Sequence, residues 1–281
     1  MSKQSQIKVD KFPVTFGNGE IKLAGEILFP NTGRLVPGAV ICHGMGSSRH
    51  SVEASARIMA NHGVAVLIFD FRGHGNSDGI LDGNIVADVI DAWHFLSEFS
   101  GVDRRRIGLV GHSMGAIAAI LATGQVNPRA LVALSCPPEQ DKKLSEMSSF
   151  ISENCIKDTL VKEYPRDGAF PWMKGPLAVV SHLWMRMAGY RLRVDWQAFF
   201  ETLKNAKMST ALLELKNCPI LFVHCKGDNL TPYQAALELY EKVKQPKDIL
   251  LARGGFHSTP LQRGNLRRNW TQWTVSALMA N

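Results

Sequence analysis

The 281 residues predict an α/β protein: a mostly parallel, eight-stranded sheet flanked by helices, with one long insertion after the sixth strand. Three observations carry that prediction. Apolar runs such as "VAVLIFDF" and "PILFVHC" are continuous rather than alternating, as in strands covered on both faces. Helical patterns separate them, and strands that alternate with helices lie parallel, joined by right-handed crossovers. The stretch between "ALVALSCPP" and "PILFVHC" is some eighty residues long, too long for a loop.

The elements follow in chain order. Ile7–Phe16 and Lys22–Phe29 have no helix between them and predict an antiparallel hairpin at the sheet edge. Further strands are expected at Ala39–Cys42, Ala65–Phe69, Ile107–Val110, Ala130–Cys136, Ile220–Cys225 and Asp248–Ala252. "SVEASARIMANHG" reads as a helix stopped by Gly63. In "DGNIVADVIDAWHFLSEF", Ile85, Val89, Ala92, Trp93 and Leu96 fall on one helical face. "TPYQAALELYEKVK" offers Thr231 as a cap and Pro232 in the first turn. The insertion, residues 138–212, has helix-like runs near Leu144–Glu163, Leu177–Ala188 and Trp196–Lys207, punctuated by Pro165, Pro171 and Pro176. It is expected to form a helical cap on a core made of residues 1–137 and 213–281.

Composition narrows the class. Hydrophobic residues are 45% and charged residues 20%, which suits a folded globular chain and excludes a disordered one. The N-terminus has no apolar run, and the longest apolar stretch, Pro176–Ala188, is too short and too polar to span a bilayer. Five cysteines (Cys42, Cys136, Cys155, Cys218 and Cys225) form no even framework, so reduced thiols and a cytoplasmic location are expected. His224, Cys225 and Cys218 lack zinc-site spacing, and neither metal nor cofactor is expected. Residues 1–140 hold 12 basic and 12 acidic side chains, while residues 141–281 hold 20 and 13, so the net charge of +7 belongs to the second half. A solvated surface is the plainer reading, a mild attraction to anionic substrates or membrane surfaces the alternative, and no nucleic-acid motif is present.

The chemistry centres on "RIGLVGHSMGAIAAILAT", where a strand pattern runs into a helix through Gly111-His112-Ser113-Met114-Gly115. A serine on so sharp a turn needs flanking residues without bulk, and the turn lifts its hydroxyl above the carboxyl ends of the strands. The Met114 amide then sits at a helix N-terminus, suited to stabilising negative charge. A serine hydroxyl needs a base, and the base an orienting acid. Asp228 and His257 follow the last two predicted strands, in the order serine, acid, histidine. Glu139, just past "ALVALSC", is the alternative acid. In "VICHGMGSS" the loop after a buried strand can turn the Met45 amide toward the serine. Met45 and Met114 would form an oxyanion hole worth roughly 3–4 kcal/mol per well-placed donor. His43, His74 and His112 read as scaffold.

"HGMGSS", "FDFRGHGNSDG", "GHSMGA", "KGDNLTP" and "GGFHS" together resemble the α/β-hydrolase superfamily, in the branch that holds monoacylglycerol lipases, cinnamoyl (feruloyl) esterases and serine aminopeptidases. The match covers the chain except about residues 138–212. The resemblance implies Ser113 as nucleophile, His257 as base, Asp228 as acid, and Met45 and Met114 as oxyanion donors. Dehalogenases and epoxide hydrolases of this fold use an aspartate nucleophile, so Ser113 argues against both. The resulting expectation is a serine carboxylesterase acting on small-molecule esters, without nucleic-acid or stable membrane partners and with room for a homodimer. A thioesterase, a carbon–carbon hydrolase and an aminopeptidase would keep the mechanism. The last would need a carboxylate in the insertion to hold a free amine, for which Glu153, Glu163, Asp195 and Glu201 are available. A non-catalytic ligand receptor on the same fold is the reading from another class. Phe170, Trp172, Met173, Trp184, Met185, Met187, Tyr190, Trp196, Phe199 and Phe200 are candidates for an acyl or aryl pocket or for the insertion's own core.

Overall fold

The computed structural model describes residues 7–17, 19–139, 161–166, 176–187, 190–244 and 246–280. Its main sheet has eight strands: β1 (Val9–Phe16), β2 (Leu23–Pro30), β3 (Val36–Cys42), β4 (Ala65–Phe69), β5 (Val102–His112), β6 (Leu131–Leu134), β9 (Ile220–Cys225) and β10 (Lys247–Ala252). They lie in the order β1-β2-β4-β3-β5-β6-β9-β10. β1 and β2 form the expected edge hairpin, in register from Val9 opposite Pro30 to Phe16 opposite Leu23. β2 meets β4 antiparallel, and every later neighbour is parallel.

The period-2 alternation of each strand divides the core in two. Val40, Leu67, Phe69 and Leu109 face one side, where they pack with α2 (Ile85–Glu98) and α3 (Met114–Ala122). Ile41, Val66, Ile68 and Val110 face the other, under α1 (His50–Asn61) and the C-terminal helix Gly264–Met279. Both faces are dry, which is why the strands read as unbroken apolar runs.

In the insertion, α4 (Pro176–Met187) lies where a helix was expected. The expected Trp196–Lys207 helix is α5 (Trp196–Lys204), capped by Asp195, which accepts from the Ala198 amide at 3.0 Å; a further helix, α6 (Met208–Glu214), begins just beyond the expected run. The expectation of helix through Glu163 is corrected. Val161–Tyr164 is a strand, β7, paired antiparallel with β8 (Leu192–Asp195). The short alternations "VKEY" and "LRVD" suit strands, but their partners lie thirty residues apart in sequence, beyond any local pattern. Tyr164, Leu192 and Val194 are buried, and the Trp196 indole donates to the Tyr164 hydroxyl at 3.2 Å. The rest of the Leu144–Glu163 run, with Glu153 and Cys155, lies outside the described residues, as do Phe170, Trp172 and Met173 and the side chains of Trp184 and Arg186. The chain continues through α7 (Gln234–Lys242) and the short α8 (Thr259–Gln262) to α9, the Gly264–Met279 helix.

Candidate active site

Ser113 joins β5 to α3 with φ 55° and ψ −118°, a conformation that costs a non-glycine residue about 1–3 kcal/mol. Its surroundings hold it there: the Ser113 amide donates to the Leu134 carbonyl at 2.9 Å, and the Ala116 amide donates to the Ser113 carbonyl at 2.9 Å. The flanking glycines are required by close approach. A Cβ on Gly111 would strike the Gly115 backbone, and one on Gly115 would sit 2.6 Å from the His43 carbonyl oxygen. The Met114 amide opens α3 and, as a first-turn amide, has no acceptor within the helix.

Asp228 follows β9 and His257 follows β10, both at the edge of the sheet where β5 ends. The His257 Nδ1 lies 2.8 Å from Asp228 Oδ2. The Asp228 side chain is fully buried. Its Oδ1 accepts from the Leu230 and Thr231 amides, both at 3.0 Å, and its Oδ2 accepts from the Thr231 hydroxyl at 3.0 Å. The His224 ring reaches the same oxygen at 3.3 Å. Burial alone would raise the Asp228 pKa, but its bonds with His224, His257 and the Thr231 amide outweigh burial and hold it well below the usual carboxylate range. The His257 backbone is pinned too: its carbonyl accepts from His112 Nε2 at 3.0 Å and from the Ser135 hydroxyl at 2.8 Å. Ser135, with φ 47°, is a second strained serine, one residue past β6.

The loop after β3 lies against the serine: a Cβ on Gly44 would stand 3.2 Å from the Ser113 Cβ. Met45 is partly buried against the core. Asp70, at the end of β4, accepts from the Arg49 amide at 2.8 Å and pairs with the Arg49 guanidinium, tying the far end of this loop to the "FDFRGHG" segment. His43, His74 and His112 are buried, and burial lowers their pKa values to about 4, about 3 and about 3.

The structure thus brings Asp228 and His257 into contact and sets Ser113, Met114 and the Met45 loop beside them. The alternative acid lies elsewhere. Glu139 accepts from the Ser209 amide and hydroxyl, both at 2.9 Å, and faces Lys242 at 3.6 Å. Sequence reasoning read Thr231 only as a helix cap and gave His224 and Ser135 no place in the site. The signals were present, in a hydroxyl three residues after the acid and a histidine four before it, but a single sequence does not show which way they turn. Among the described residues, no group of three or more His, Cys, Asp or Glu side chains could hold a metal ion. Nor, among them, is any helix long and apolar enough to cross a membrane.

Residues 38–262 match the family model described as "Serine aminopeptidase, S33". The chain is 25% identical over 222 residues to the Bacillus subtilis protein YqkD, an alignment covering 78% of this chain and 64% of YqkD, less than two thirds of that protein's length. It is 24% identical over 240 residues to the thiohydrolase AneE of Aspergillus aculeatus, covering 75% of each. A Pyrococcus furiosus esterase structure superposes with a TM-score of 0.66 at 20% identity, over 96% of this chain and 91% of that one, a likeness of fold.

Proposed function

We propose an ester-cleaving serine hydrolase for this chain, which belongs to the serine aminopeptidase S33 family and has the α/β-hydrolase fold. The observation that carries the reading is the 2.8 Å contact of His257 with the buried, ionised Asp228 beside the strained Ser113 turn. Ser113 Oγ attacks the ester carbonyl carbon while its proton passes to His257 Nε2. The Met45 and Met114 amides receive the oxyanion. The tetrahedral intermediate collapses, and the alcohol leaves with the proton from His257. Water, deprotonated by His257, then attacks the acyl-enzyme, and the acid and free Ser113 are released. Asp228 keeps the imidazole in its Nδ1–H form and stabilises the imidazolium.

Esters are favoured over peptides by the partners of the acidic candidates among the described residues, Glu163, Asp195 and Glu201. Asp195 caps α5. Glu163 faces Arg166 at 3.6 Å, and Glu201 accepts from the Gln197 amide at 3.3 Å. Each already has a partner that a substrate ammonium would have to displace. Trp196, Phe199, Phe200 and Met185 are buried core, leaving fewer apolar groups for the substrate than the sequence offers. Small esters with a short-to-medium aliphatic or aromatic acyl group follow as the proposed substrate class.

The test is a fluorophosphonate probe together with p-nitrophenyl esters from acetate to palmitate and emulsified triolein. Labelling at Ser113 and a maximum at short or medium chains are expected, with Ser113→Ala lowering kcat by about 10⁴-fold or more. An unlabelled Ser113 would overturn the mechanism. A maximum at the longest chains, or activity on amides or thioesters alone, would overturn the substrate class.

A further inference from the structure

His74 is fully buried and takes no part in the proposed proton transfers. The Gly46 amide donates to its Nε2 at 3.2 Å, so the ring proton is on Nδ1, which donates to the Arg72 carbonyl at 3.1 Å. His43 repeats the pattern. The Phe71 amide donates to its Nε2 at 3.1 Å, leaving Nδ1–H to donate to the Gly44 carbonyl at 2.8 Å. The two rings meet edge to face, with centroids 4.9 Å apart.

These bonds act on consecutive trans peptides, whose C=O and N–H point in opposite directions. With the Gly44 carbonyl bound to His43, the Met45 N–H must point away from that ring. With the Gly46 N–H bound to His74, the Met45 carbonyl must point away in turn. The peptide that carries the Met45 N–H is thus held by His43 and the next one by His74, so the backbone of Met45 is fixed from both sides by two neutral rings.

Behind the rings, the 73–81 segment is stitched to β8 and the residue before it. The Arg193 amide donates to the Gly73 carbonyl at 2.7 Å and the Gly75 amide to the Arg191 carbonyl at 3.0 Å. The Leu81 amide donates to the Arg193 carbonyl at 2.9 Å, and the Asp195 amide to the Leu81 carbonyl at 3.0 Å.

We infer that His74 is a positioning residue: it transmits the docking of β8 to the loop after β3 and so helps to set the direction of the Met45 amide. The inference rests on the serine-hydrolase reading only for its kinetic consequence. Two substitutions separate the ring's two bonds. In His74→Gln the side-chain oxygen reaches the place of Nε2 and still accepts from Gly46. In His74→Asn the shorter side chain reaches only the place of Nδ1, keeps a donor for Arg72 and leaves the Gly46 amide without its acceptor.

The full chain is studied by NMR and by ester kinetics. In the unsubstituted protein, long-range ¹H–¹⁵N correlations should show His43 and His74 as Nδ1–H tautomers. His74→Asn should speed hydrogen exchange of the Gly46 amide by about tenfold or more and lower kcat about ten- to a hundredfold with KM little changed. His74→Gln should keep both within about threefold of the unsubstituted protein. An Nε2–H tautomer at His74, or equal effects of the two substitutions on Gly46 exchange and kcat, would overturn the inference; should His74→Asn not fold, the tautomer decides. Lack of ester turnover in the unsubstituted protein would count against the ester reading alone, since the tautomer and Gly46 exchange do not depend on it.

Discussion

At the scale of single residues, Asp228 shows how a buried carboxylate stays charged: all its partners lie on the short segment Leu230–Thr231 or on two histidines. Thr231→Val keeps the shape and the backbone donor but removes a hydroxyl bond to the anion, worth about 1.5–3 kcal/mol for a charged acceptor. A fall in kcat of about tenfold or more is expected, and unchanged turnover would show that the hydroxyl is dispensable. Asp228→Asn should be more severe, about 10⁴-fold, because the wrong histidine tautomer is then favoured. Titration gives a stability prediction. His43, His74 and His112 are held neutral, with folded values of about 4, 3 and 3 against an ordinary 6.5. As pH falls below 6.5 the unfolded chain gains protons that the folded chain refuses, so stability is lost progressively down to about 4 and below. Each histidine contributes roughly 1 kcal/mol per pH unit in that window. Asp228, with its depressed value, adds a further loss only below the ordinary carboxylate range. Urea midpoints should be level from pH 7 to 8 and decline steadily from 6.5 to 4.5. A flat profile would mean that these rings become protonated in the folded state.

At the scale of elements, the turn into α3 works because a helix end and two strand ends meet without side chains between them. Gly115→Ala would push α3 off the carbonyls of Cys42 and His43, at a cost of about 1–3 kcal/mol of the kind overpacking brings. The same substitution should lower kcat, since it moves the Met114 amide; urea unfolding and turnover measured on one preparation would show whether both fall. A second clamp sets α2. Arg72 Nε and Nη2 donate to Asp88 Oδ1 at 2.9 and 2.7 Å, and the Arg72 amide donates to Asp88 Oδ2 at 2.9 Å. Both side chains are buried. Asp88→Ala would leave the guanidinium with only the longer contact to the partly exposed Asp82 and should destabilise by about 3–5 kcal/mol. A loss below 1 kcal/mol would mean that Asp82, 3.4 Å from Arg72, takes over the charge.

At the scale of the whole molecule, the site stands on a sheet sealed from both sides, and the seal on one side is the last helix. Trp270 of α9 is fully buried under the sheet, and its indole donates to the Pro260 carbonyl at 2.9 Å, within the short helix that follows His257. Trp270→Ala should cost about 3–5 kcal/mol. Trp270→Phe keeps most of the volume, leaves the Pro260 carbonyl without its donor and should cost about 1–3 kcal/mol. Calorimetric melting of both variants would order them; a Phe variant as damaged as the Ala variant would mean that the indole bond outweighs the packing.

What the sequence by itself determined was local or repeated. Continuous apolar runs marked the parallel strands, because a strand dry on both faces has no polar alternation to show. The edge hairpin at Val9–Pro30 was legible from the missing helix between its halves. Gly111 and Gly115 marked the serine turn, and strand ends located Asp228 and His257. What only the tertiary structure decided was pairing across distance. Val161–Tyr164 became a strand because Leu192–Asp195, thirty residues on, supplied its hydrogen bonds. Glu139 and Asp228 both follow strands, yet Ser209 and Lys242 take up Glu139, so only Asp228 meets His257. His43 and His74 read as scaffold in one dimension. Their tautomers, and the direction in which they turn the Met45 amide, depend on which backbone groups of Phe71, Arg72, Gly44 and Gly46 face them once two loops from neighbouring strands are folded together.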